Sequence, residues 1–216
     1  MSKRFKSSRG RISNRGPLPR FIGLIPTSKA GDGVIAFSSI SELLVALFLI
    51  WSKWVARILY EPRKVTFPAT NDLPEVVGWP DFEVVLDGGE IELVNAKYSD
   101  ASMPEEERSQ LANFDAQCQA NATRHRVVYR DVLEKNGFIE TISLLRPYGL
   151  LEFSDSVIAG AMAILGGLPA THLEGWQERA REALLPLDLV YHLLYRQQLP
   201  LAYRPLVHTG LRKCRD

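Results

Sequence analysis

At 216 residues with 46% apolar side chains, the chain has room for one large domain or two small ones and is too apolar to be a disordered tail. Its net charge of +1 hides an asymmetry: Lys3, Arg4, Lys6, Arg9, Arg11, Arg15 and Arg20 put +7 on residues 1–20, which hold no acid, leaving −6 on the remainder. The two cysteines, Cys118 and Cys214, lie too far apart for a cysteine-built zinc site or a disulfide framework, which points to reduced thiols in a cytoplasm.

In chain order, residues 1–30 read as a basic, flexible arm, because their first part is rich in Ser, Gly and Pro and lacks the apolar stretch of a signal peptide. Such an arm suits the phosphate backbone of a nucleic acid; a solvated tail is the plain alternative. Gly31-Asp32-Gly33 marks a turn before a short β-prone stretch, Val34 to Phe37. Ser39 and Glu42 fit the S-x-x-E capping box and predict a helix start. From Leu43 to Trp51 that helix is apolar all round, as a buried helix is. Nine residues fall short of the roughly 20 that span a bilayer, so no membrane association and a soluble, non-exported protein are expected. Lys53, Arg57 and Glu61-Pro62 bring the helix to the surface and end it. Arg63 to Phe67 reads as a strand and Pro68 to Gly78 as a loop.

The clearest local signal follows. Phe82 to Leu86, a turn at Asp87-Gly88-Gly89, and Glu90 to Tyr98 form a β-hairpin. Met103-Pro104 and the acids Glu105 to Glu107 open a helix running to about Arg124. Val127 to Tyr129 is another strand, and Arg130 to about Gly137 a short helix. Beyond residue 150 the character is helical: Ser156 to Leu165, Thr171 to Leu184 and Leu187 to Gln198, broken by Gly166-Gly167, Pro169 and Pro186. A β-prone ribbon from Leu199 to Leu211 follows and suggests a winged-helix-like unit; a plain helical bundle is the competing arrangement. The expected fold class is therefore α/β, with a mixed sheet core over 31–150 and a helical, winged-helix-like domain over 151–216.

The hairpin carries the candidate chemistry. Asp81 stands at the mouth of its first strand, and Asn95 and Lys97, two residues apart, share one face of the second. The turn folds the second strand back, so the three converge at one end. Glu42, in the first turn of the preceding helix, can add a carboxylate. Glu42, Asp81, Asn95 and the neighbouring main chain at Ala96 offer hard oxygen donors for Mg²⁺ or Mn²⁺. Lys97 can stabilise charge that develops on a phosphate. Glu92 is expected on the opposite face, an odd number of residues from Asn95. His125, His172, His192 and His208 show no metal-ligand spacing, and Trp51, Trp54, Trp79 and Trp176 suit a core better than base stacking.

Pro80-Asp81 followed by Asn95-Ala96-Lys97 resembles the PD-(D/E)-x-K nucleases of restriction-endonuclease-like fold. With the Glu42 helix start, the long apolar helix, Glu61-Pro62 and Pro80-Asp81-Phe82, residues 37–129 look like the TnsA family, the endonuclease subunit of heteromeric transposases. The part from Leu187 to Thr209 resembles that family's C-terminal domain less specifically. The resemblance implies Mg²⁺-dependent cutting of double-stranded DNA at transposon 5′ ends, an integrase-type transposase partner and an AAA+ ATPase regulator. It also implies catalytic roles for Glu42, Asp81 and Lys97. Asn95 departs from the superfamily's usual acid; the family tolerates an amide there, whose carbonyl can still coordinate but brings no charge.

Taken singly, each residue has a structural reading: Glu42 as a helix cap, Asp81 as a loop carboxylate, Asn95 and Lys97 as an edge-strand strip. Two other classes of function compete with the enzyme. One is a catalytically weak or inactive nuclease-fold module bridging DNA and a regulatory ATPase, which the neutral Asn95 favours. The other is a nucleic-acid-binding regulator acting through the C-terminal helices.

Overall fold

The structure, a computed structural model, describes residues 22–69, 73–135 and 137–201. The basic side chains from Lys3 to Arg20, most of the expected ribbon beyond Leu201, His208 and Cys214 lie outside the described residues.

The fold is mixed α/β. A first hairpin pairs β1 (Gly23–Pro26) with β2 (Val34–Phe37), with Ile25 opposite Ile35 and both buried. The segment expected as arm therefore becomes ordered strand before residue 30. Its four-residue strand is too short for a periodic signal and is fixed by pairing with β2.

Helix α1 (Ile40–Trp51) starts at Ser39, whose Oγ accepts a hydrogen bond from Glu42 N at 3.1 Å. Leu44 through Leu49 are all buried, the all-round burial expected from the sequence. The helix stops at Trp51 and does not run on toward Glu61. Instead, Val55–Tyr60 is strand β3, paired antiparallel with β6. The Lys53 and Arg57 spacing mimics a helix surface, but buried Val55 and Ile58 gain more from a sheet partner distant in sequence. The stretch expected as loop also contains a short strand: β5 (Val76–Gly78) pairs with β4 (Val65–Phe67).

The second hairpin forms as the alternation predicts. Strand β6 (Phe82–Leu86) pairs with β7 (Ile91–Lys97), with Phe82 opposite Val94, and Gly89 supplies the turn with φ of 83°. Helix α2 (Glu105–Ala120) crosses to β8 (Arg124–Tyr129), which lies parallel to β7 with Leu93 opposite His125. The central sheet thus runs β3-β6-β7-β8, with the last pair parallel.

Its two faces are covered differently. Val84, Val94 and Val128 pack with Phe48 and the rest of α1 in the main core. Leu93 faces the other way and packs with Phe67, Phe114 and Cys118. Glu92 lies on the α1 side, buried and ion-paired with Arg126 at 3.0 Å, away from the face of Asn95 and Lys97 as alternation requires.

Helices α3 (Arg130–Lys135) and α4 (Phe138–Leu145) and a 3₁₀ turn (Arg146–Leu150) lead into the helical half. There α5 (Asp155–Leu165), α6 (Leu173–Glu182) and α7 (Leu187–Tyr195) enclose a second core around Trp176, whose Nε1 donates to the Pro200 carbonyl at 2.9 Å. The two cores meet at α7. Tyr195 packs against both, Gln197 Nε2 donates to the Trp51 carbonyl, and Lys53 Nζ donates to the Gln197 carbonyl at 2.6 Å. Among the described residues no helix is long and apolar enough to cross a membrane.

Candidate active site at the open end of the hairpin

Asp81 is the last residue before β6, and its N–H donates to the Val94 carbonyl at 3.0 Å, extending the hairpin ladder by one bond. That bond sets Asp81 beside Asn95 and Ala96. Asp81 Oδ2 accepts from the Ala96 N–H at 2.8 Å and from Asn95 Nδ2 at 3.4 Å. The approach to Asp81 is fixed by Gly78: a Cβ there would collide with the Phe114 ring, so glycine lets this segment pass beneath α2.

Burial is the main force on the Asp81 carboxyl and pushes it up to about 6 from 3.8. The Ala96 N–H opposes this, the negative charge of Glu42 adds to it, and the Lys97 charge and the Asn95 amide pull it back. Glu42 and Lys97 are therefore both within electrostatic reach of Asp81.

Glu42 is held firmly. Its carboxylate accepts from Ser38 N at 2.7 Å, from the Tyr60 hydroxyl at 2.7 Å, and from the Ser38 and Ser39 hydroxyls at 3.1 Å. It thus satisfies the N–H of Ser38, one residue earlier than the capping-box rule places it. Burial, with Glu42 and Glu61 nearby, holds the Tyr60 hydroxyl far above its ordinary range, so it remains a donor.

Lys97 points along the same face as Asn95, and its Nζ meets Glu107 Oε1, from the first turn of α2, at 2.6 Å. Asn95 is buried, and its amide orientation follows from its neighbours. The Trp79 carbonyl, 3.1 Å away, can only accept, so the amide nitrogen must face it. The amide oxygen then faces His125 Nε2 at 3.1 Å and turns away from Asp81. His125 Nδ1 lies 3.0 Å from Asp115 Oδ1, with Phe114 edge-on at 4.9 Å. The Asn95 oxygen can only accept, so Nε2 faces it as the donor. Burial works against the charge on this imidazole and Asp115 favours it; the net direction is downward.

The structure therefore brings Asp81, Asn95 and Ala96 into contact, with Glu42 and Lys97 close by. Among the described residues no three His, Cys, Asp or Glu side chains are grouped to hold a metal; the carboxylates that act on one another here are Asp81 and Glu42, with neutral oxygens around them. That donor set suits Mg²⁺, which typically takes one or two carboxylates and completes its shell with water and substrate phosphate. Sequence reasoning missed Glu107, Asp115, His125 and Tyr60. The period-two rule would have placed His125 on the Asn95 face had β8 been read from Arg124. The chain matches no protein-family model and no curated protein sequence.

Proposed function

We propose that the chain is a metal-dependent DNA endonuclease, the subunit of a heteromeric transposase that cuts at transposon 5′ ends beside an integrase-type partner and an AAA+ regulator. The observation that carries this is the meeting of Asp81 with Asn95 and Ala96 at one hairpin end, within the fields of Glu42 and Lys97. A mixed sheet with α1 and α2 against it agrees with a restriction-endonuclease-like core, and the helical half with a winged-helix-like domain.

On this reading Asp81 and Glu42 would hold Mg²⁺ or Mn²⁺, with the Ala96 carbonyl as a neutral donor. The ion would supply Lewis acidity toward the scissile phosphate. Asn95 orients the Asp81 carboxylate by donating to it, since its own oxygen is engaged by His125. Lys97 leaves Glu107 to meet charge building on the phosphate, a rearrangement open to a half-exposed ion pair. The basic side chains from Lys3 to Arg20 track the DNA backbone.

The second reading, a catalytically weak module bridging DNA and the ATPase, is favoured by one observation: Asn95 Oδ1, Lys97 and Glu42 all have partners within the protein. Cleavage of labelled transposon-end DNA in Mg²⁺, with and without the transposase, separates the two. Cutting that disappears in Asp81→Ala supports the nuclease; cutting that survives in Asp81→Ala removes the site from the mechanism.

A further inference from the structure

The Asn95 amide sits among three partners. Its Nδ2 lies 3.1 Å from the Trp79 carbonyl and 3.4 Å from Asp81 Oδ2, and its Oδ1 lies 3.1 Å from His125 Nε2. The Trp79 oxygen and the Asp81 carboxylate can only accept, so they take the two hydrogens of the amide nitrogen. The third partner must donate. At 6% exposure Asn95 has little water to turn to, and a buried oxygen left without a donor is costly.

That donor comes from the neighbouring strand. The parallel register of β7 and β8 sets His125 beside Leu93, on the Asn95 face, and its ring reaches Asn95 diagonally across the two strands. The His125 side chain is 1% exposed, Phe114 meets it edge-on at 4.9 Å, and its Nδ1 lies 3.0 Å from Asp115 Oδ1 on α2. The ring is thus held in place with Nε2 aimed at the Asn95 oxygen. Without that donor the amide has no favourable orientation. As it stands its oxygen is unpaired, and turned over it sets oxygen against both the Trp79 carbonyl and Asp81. The same surroundings account for an amide, and not an acid, at this position: a carboxylate would face two acceptors with no hydrogen to give.

We propose that His125 is a positioning residue of this site: its Nε2–H locks the Asn95 amide as a donor to Asp81 and so fixes the carboxylate that would receive the ion. This rests on the reading of the site as a metal-dependent nuclease and adds to it a residue that acts only through Asn95 and Asp81.

The test begins with side-chain NMR of the full chain in EDTA. The wild type is expected to show His125 with a proton on Nε2, and Asn95 Nδ2 hydrogens that exchange slowly with solvent. His125→Gln, whose amide nitrogen can take the place of Nε2, is expected to keep that protection. His125→Leu has no donor and is expected to lose it. Mg²⁺ titration followed by calorimetry is then expected to show affinity about 10- to 100-fold weaker in His125→Leu and close to wild type in His125→Gln, the effect typical of a residue that orients a metal ligand. A role in packing alone predicts that the two variants do not separate in either measurement. A wild-type His125 without a proton on Nε2 overturns the proposal, whether or not His125→Leu folds. Asn95 protection and Mg²⁺ affinity that stay unchanged in His125→Leu overturn it too, as does a His125→Gln variant that behaves like His125→Leu. If the NMR pattern holds but the wild type neither binds Mg²⁺ nor cuts DNA, the positioning of Asn95 stands and the nuclease reading falls. Wild-type cutting whose rate is unchanged in His125→Leu does the reverse.

Discussion

Replacing Asp81 by Asn removes a partly buried charge from the end of the hairpin while keeping its shape. Both hydrogen bonds described at that carboxyl fall on Oδ2, from Ala96 N at 2.8 Å and Asn95 Nδ2 at 3.4 Å, so an amide oxygen in the same place preserves them. What disappears is the penalty of a carboxylate that burial, with the Glu42 charge behind it, raises to about 6 from 3.8. Below 3.8 both the folded and unfolded chains hold the proton, and the stabilisation it brings is fully present. As pH rises toward 6 the unfolded chain releases the proton first, and stability falls until the folded carboxyl has also titrated. That interval corresponds to about 3 kcal/mol. Asp81→Asn lacks the titration, so its advantage over wild type should widen by about 2–3 kcal/mol between pH 4 and pH 8. Urea unfolding at the two pH values in EDTA, followed by tryptophan fluorescence, measures this. A gap between variant and wild type that is the same at both, or that narrows, refutes the burial argument. Adding Mg²⁺ at pH 8 should stabilise wild type, by about 2.7 kcal/mol at a hundred times the Kd, and the variant far less.

Asn95→Asp places a second carboxylate against Asp81 and the Trp79 carbonyl. It should destabilise the metal-free protein by about 2–4 kcal/mol at pH 8, yet gain a larger Tm increment from Mg²⁺ than wild type. An equal increment would mean that this position lies outside the ion's reach. Lys97→Ala should lower single-turnover cleavage by at least about 100-fold while changing stability by no more than about 1 kcal/mol, because its ion pair with Glu107 is partly exposed. Wild-type rates in that variant would remove Lys97 from the chemistry. Deleting residues 1–20 should flatten the dependence of log Kd on log salt, since up to seven phosphate contacts are lost. An unchanged slope means that the segment does not touch DNA.

The hairpin and the meeting of Asp81 with Asn95 were legible because alternation and turn chemistry act over neighbouring residues. The Ser39–Glu42 cap was legible for the same reason. Strand β3 was not, because Lys53 and Arg57 satisfy a helical spacing and only pairing with β6, more than twenty residues on, decides otherwise. Strand β5, three residues inside a proline-bounded stretch, carries too little pattern to be seen. The His125–Asp115 pair stayed hidden because its partners lie on a helix and a strand, and nothing local announces the parallel register that sets His125 beside Leu93. That register decides where the Asn95 oxygen points, and with it whether Asn95 serves as a ligand or as a donor to Asp81.

The junction of the two cores bears on how the protein can be cut down. Trp51, Lys53, Tyr195 and Gln197 join the end of α1 to the end of α7 through one shared ring and two hydrogen bonds. A fragment ending near residue 150 would strip that cover from the apolar helix behind the candidate site and leave the Trp51 carbonyl without its Gln197 donor. In the whole chain, amide hydrogens at the C-terminal end of α1 should exchange on the same timescale as those of α7, opening together as one protected block. Limited proteolysis should accordingly spare the 3₁₀ turn at Arg146–Leu150 although it lies where the sequence changes character, and crystallisation or binding work calls for the chain to be kept whole across it.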